Sequence, residues 1–99
     1  MGRRTQQRRR RRVEELVALR HDQREFRRRW MARVDAWCKS LREGRPAVDA
    51  EGKPTGKASE IIQSVLKELA DIGEPEGSSL AAETRIRLEL ACRAGEATK

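Results

Sequence analysis

Apolar residues recur every three or four positions over most of the chain, and that spacing predicts helices. Between residues 13 and 43 they fall at Val13, Leu16, Leu19, Phe26, Trp30, Val34, Trp37 and Leu41, with Gln23 as the polar member of the seam. Neither Pro nor Gly interrupts until Gly44. After Leu16 the steps are 3, 4, 3, 4, 4, 3 and 4, close to a coiled-coil repeat with a stutter between Phe26 and Val34. The pattern predicts one long amphipathic helix over 13–43, about 45 Å from end to end. That is long for a chain of this size, so part of the seam is expected to pack on another subunit or a partner.

Residues 44–57, GRPAVDAEGKPTGK, carry three glycines and two prolines and read as a linker. The 3-and-4 spacing returns cleanly over 58–72 at Ala58, Ile61, Ile62, Val65, Leu66, Leu69 and Ile72. Gly73 stands where a helix-ending glycine belongs, and Glu74-Pro75-Glu76-Gly77 forces a turn. Residues 79–94 are expected to be helical, capped by Ser78 or Ser79, because Leu, Ala, Glu and Arg dominate them. Within them, Thr84 to Leu90 alternates polar and apolar in the manner of a half-buried strand, but such a strand has no partner in the chain. The segment 58–94 is then an antiparallel helical hairpin covered by the seam of the first helix, and a frayed tail follows over 95–99. The expected class is all-α, a small three-helix arrangement with one long basic N-terminal helix. A core of this size supplies only a few kcal/mol, so dimerisation is expected to add burial.

Charge changes the picture at the N-terminal end. The 99 residues hold 23 Lys and Arg against 16 Asp and Glu, a net charge of +7. Residues 1–45 carry 16 basic against 6 acidic side chains, net +10, whereas 46–99 carry 7 against 10, net −3. Residues 1–12, MGRRTQQRRRRR, contain seven arginines and no apolar residue after Met1, and are expected to form a flexible arm, either unfolded or a frayed helical extension. A cationic arm joined to a packing module suits a polyanion, and arginine's planar donor fork suits phosphate. Arg3, Arg4, Arg8, Arg9, Arg10, Arg11 and Arg12 of the arm are candidate contacts, together with Arg20, Arg24, Arg27 and Arg28 on one flank of the seam. Such binding requires that these guanidinium groups are not already paired with Asp and Glu of the same chain.

The expected function is a small non-enzymatic protein that grips the phosphate backbone of DNA or RNA. The alternative is a helical structural or adaptor subunit of a larger protein assembly, which docks through its seam with Phe26, Trp30, Val34, Trp37 and Leu41 at the interface. Other classes find little support. The acidic turn between the last two helices is too long for a helix-turn-helix and carries Glu74 and Glu76, which repel phosphate. The seam has too few leucines for a basic zipper. GKPTGK at 52–57 has three residues between its glycines, where a phosphate loop needs four, and Ala58 stands where such a loop needs Ser or Thr.

Cys38 and Cys92 lack the spacing of a zinc site and are expected to be buried free thiols. No cofactor, metal or small-molecule substrate is implied, and no nucleophile–base pair can be named for an enzyme. There is no apolar stretch of membrane-spanning length and no secretory signal, so a cytoplasmic location is expected.

Overall fold

The computed structural model of the chain describes residues 2–18 and 22–97, with side chains described over 10–18 and 22–96. The described residues form four α-helices: α1 (Gly2–Ala18), α2 (Gln23–Glu43), α3 (Gly56–Asp71) and α4 (Ser79–Ala97). The fold is all-α, and residues 84–91 lie within α4, so the strand-like alternation there is a feature of sequence alone.

The helix expected over 13–43 is divided in two. Asp22 has a non-helical backbone (φ −105°, ψ 85°), and its carboxylate accepts the Glu25 N–H at 3.2 Å. A side chain that satisfies an orphan N–H in this way starts a new helix. The arginine-rich segment over 2–12 is helical in backbone and continuous with residues 13–18. It joins the body through Leu16, which is buried in the core, and Val13, which packs against it.

The remaining boundaries follow local chemistry. Gly44 N–H donates to Ser40 O at 2.9 Å and closes α2. Gly73, with φ at +106°, ends α3 in the left-handed region that glycine enters without strain. Ser78 Oγ accepts the Ala81 N–H at 3.1 Å and caps α4.

The core lies mainly between α2 and α4, with α3 packed on α4. Phe26, Trp30, Val34, Cys38 and Leu41 of α2 meet a buried face of α4 that includes Leu80, Thr84, Leu88 and Cys92. Trp30 and Thr84 are essentially inaccessible, at 1% and 0% exposure. The Trp30 Nε1–H donates to Thr84 Oγ1 at 2.9 Å, and the Thr84 hydroxyl donates onward to Leu80 O at 2.8 Å. A buried indole N–H thus has its acceptor, and a mid-helix hydroxyl has a use for its proton.

Phe26, Trp30, Val34 and Leu41, the seam residues named for the adaptor interface, are buried within the chain, and Trp37 is half-buried. The cover the seam needs is supplied by α4 of the same chain. The expected frayed tail over 95–99 is helical through Ala97, and Thr98 and Lys99 lie outside the described residues. Gly95 is buried there, and only glycine fits, because a Cβ would meet Pro46 Cδ at 2.7 Å and the Arg42 backbone at 3.0 Å.

The expected linker is also ordered. Asp49 Oδ1 accepts N–H groups from Glu51 and Lys53, both at 2.9 Å, and Arg93 Nε ties the loop to α4 through Gly52 O at 3.0 Å.

The assembled chain measures 40 × 35 × 19 Å. The short dimension matches about two helix diameters.

Replacing Thr84 by valine keeps the shape and removes the acceptor. Thr84→Val is expected to cost about 1–3 kcal/mol, the penalty for stranding a buried N–H. Thr84→Ser, which loses one methyl group, is expected to cost about 1 kcal/mol. Urea unfolding midpoints of the two variants check the order.

Candidate nucleic-acid interface

The arginines of α2 are largely engaged within the chain. Glu25, in the first turn of α2, accepts from Arg28 Nη2 at 2.6 Å and Arg28 Nε at 3.0 Å, and from Arg29 Nε at 2.9 Å. These are the i,i+3 and i,i+4 spacings at which helix side chains meet. The hydrogen bond from Arg28, then that from Arg29, lowers the Glu25 carboxyl from its ordinary 4.5 to about 2. Arg27 reaches across to Glu83 of α4, and Arg87 of α4 pairs with Glu83 at 3.4 Å and with Asp35 of α2 at 3.2 Å.

Arg33 is held most closely. Its Nη1 and Nη2 form a two-pronged pair with the carboxylate of Glu68 on α3, the second bond at 3.1 Å. The two side chains are only 20% and 9% exposed. A shielded, bidentate arginine–carboxylate pair is a structural strut, and removing one partner leaves the other charge stranded.

Arg27 and Arg28, expected to be free for phosphate, therefore have acidic neighbours. Glu83 lies 56 positions from Arg27, beyond the reach of sequence spacing, and Glu25 lies three positions before Arg28 on the same helix. Exposed ion pairs of this kind contribute about 0–1 kcal/mol and can be exchanged for phosphate. The carboxylates remain beside the arginines, however, and oppose an approaching polyanion.

Arg10, Arg11 and Arg12 on α1, and Arg24 in the first turn of α2, are different. All four are exposed, and none takes part in an ion pair among the described residues. Arg3, Arg4, Arg8 and Arg9 lie on the backbone of α1, but their side chains are outside the described residues, as is all of Arg20.

The remaining chemistry is sparse. Burial raises the pKa of both thiols, and Cys38 Sγ donates to Arg87 O at 3.5 Å, so both cysteines are buried free thiols. No helix among the described residues is long and apolar enough to cross a membrane, and no cluster of three His, Cys, Asp or Glu side chains that could hold a metal occurs among them. Comparison with protein families, with curated proteins and with solved structures finds no match to this chain.

Because the folded pKa of Glu25 lies below its ordinary value, its pairing stabilises the fold above about pH 4.5. That contribution is lost as pH falls toward 2. A carboxyl-detected NMR titration is expected to place Glu25 well below the ordinary carboxyl value of 4.5. A midpoint near 4.5 would show that the Arg28 and Arg29 contacts are absent in solution.

Proposed function

We propose that the chain is a non-enzymatic nucleic-acid-binding protein whose α1 arginines grip the phosphate backbone. The observation that carries this reading is the division of the arginines into two groups. Those on α2 and α4 at Arg27, Arg28, Arg29, Arg33 and Arg87 are paired with Glu25, Asp35, Glu68 and Glu83. Arg10, Arg11, Arg12 and Arg24 have no such partner among the described residues.

Unpaired guanidinium groups arranged along a helix can meet successive phosphates and release their counterions. Arg3, Arg4, Arg8 and Arg9 extend the same helix in sequence. Such contacts position a protein on the backbone without reading bases, so affinity with little sequence preference is expected. The helical body acts as the platform, with α1 attached to it through Val13 and Leu16.

The adaptor reading loses its main support, because four of its five proposed interface residues are interior.

Affinity for duplex DNA, single strands and structured RNA is to be measured over a range of salt. Each phosphate neutralised on duplex DNA contributes about −0.9 to the slope of log K against log salt. Replacing Arg10, Arg11 and Arg12 together by glutamine is expected to make that slope shallower by about 2 to 3. The same exchange at Arg27 and Arg28 is expected to change it by less than about 1. Equal loss from both variants would shift the site to α2, and binding indifferent to salt on all three nucleic acids would exclude the proposal.

A further inference from the structure

Helix α4 carries apolar residues on the side turned away from the core. Its buried face includes Leu80, Thr84, Leu88, Ala91 and Cys92. On the opposite face, Ile86 and Leu90 are 55% and 52% exposed, one helical turn apart. Ala82 and Ala94, also exposed, extend this ridge by a turn at either end. Two isoleucine- or leucine-sized side chains standing in water on a packed helix are unusual when they adjoin further apolar surface. Here they do adjoin it. Ile86 lines a groove of about 610 Å³ between α4 and α3, with Leu66 and Leu69 in its wall. Leu90 lines a second groove of about 440 Å³ between α4 and α2.

The charges beside the ridge indicate what covers it. Arg85 and Glu89 are four positions apart on one flank of Ile86, yet neither takes part in an ion pair among the described residues. Arginine placed before glutamate at this spacing is the weaker orientation for pairing within a helix. Their order suits a second helix running the other way.

The geometry points to a second copy of this chain as the occupant, with the two α4 helices antiparallel and a two-fold axis at the level of Leu88. That axis sets Ile86 opposite Leu90 of the partner subunit, and Leu90 opposite the partner's Ile86. It sets Ala82 opposite the partner's Ala94, where small side chains let the helices approach. Same-flank residues face each other across an antiparallel pair, so Arg85 comes within a turn of the partner's Glu89, twice by symmetry. Each ridge has a groove on either side of it, lined in part by Ile86 or Leu90. More than half of Ile86 and of Leu90 is exposed, so this face of α4 is uncovered in one copy.

The inference is independent of which polyanion α1 binds, and its test uses nucleic-acid-free protein. Sedimentation of the full chain over increasing concentration is expected to pass from 11.4 kDa to twice that mass. Ile86→Asp and Leu90→Lys are each expected to weaken the dimer at least about tenfold. Their helical circular dichroism should be unchanged, because both side chains face solvent in one copy. Arg85→Glu and Glu89→Arg are each expected to weaken it as well, whereas an equimolar mixture of those two variants restores a dimer of one chain of each kind. A monomer at every concentration up to the millimolar range overturns the proposal. So does a dimer that survives both Ile86→Asp and Leu90→Lys, or a mixture of the charge variants that associates no better than either alone.

Discussion

The buried contact between α2 and α4 at Trp30 and Thr84 organises the molecule. The largest side chain of the core is inaccessible, and its single polar atom has one acceptor on the facing helix. That bond fixes the rotation of α2 about its axis. With Trp30 turned inward, Phe26, Val34, Cys38 and Leu41 turn inward with it. Arg27, Arg29 and Arg33 are then set to the sides, where Glu83, Glu25 and Glu68 meet them. The pairing of the α2 arginines is thus a consequence of how the core is packed. Arg10, Arg11 and Arg12, which have no ion pair among the described residues, stand on a helix that joins the core near its C-terminal end, through Val13 and Leu16.

This division of labour links charge to stability as well as to binding. Arg33 and Glu68 sit in a low-exposure site, where a lone charge is costly, so they act together as a cross-brace between α2 and α3. Glu25 combines two tasks in the first turn of α2. Its N–H is capped by Asp22, and its carboxylate gathers Arg28 and Arg29. An acidic group near a helix N-terminus is favoured by the backbone dipole, and the same group subtracts positive charge from the face that sequence composition makes basic.

Much of the fold was legible in the residue pattern, because helical periodicity is a local property. The spacing from Ala58 to Ile72 and the glycine at 73 correspond to α3 and its end. Leucine- and alanine-rich composition pointed to the helix at 79–94 despite its misleading alternation. The break at Asp22 was written in the sequence as Asp-Gln-Arg-Glu, a capping pattern masked by the apolar seam that runs on through it. The order at Gly95 was not legible: a glycine near a terminus reads as an end, and only Pro46 and Arg42, about 50 positions away in sequence, explain its burial. The candidate site divided in the same way. Clustered arginines were visible from composition, but which of them meet Glu83 or Glu68 depends on contacts across 56 and 35 positions.

The central claim is that the guanidinium groups of α1 are available to phosphate while those tied to the core are not. It is tested most directly by following arginine Nε–H resonances by NMR during titration with a short duplex. The resonances of Arg10, Arg11 and Arg12 should shift progressively with added duplex and recover when salt is raised, while Arg33 stays fixed on Glu68. Movement of Arg33 and Arg27 with Arg10–Arg12 unchanged would contradict the account.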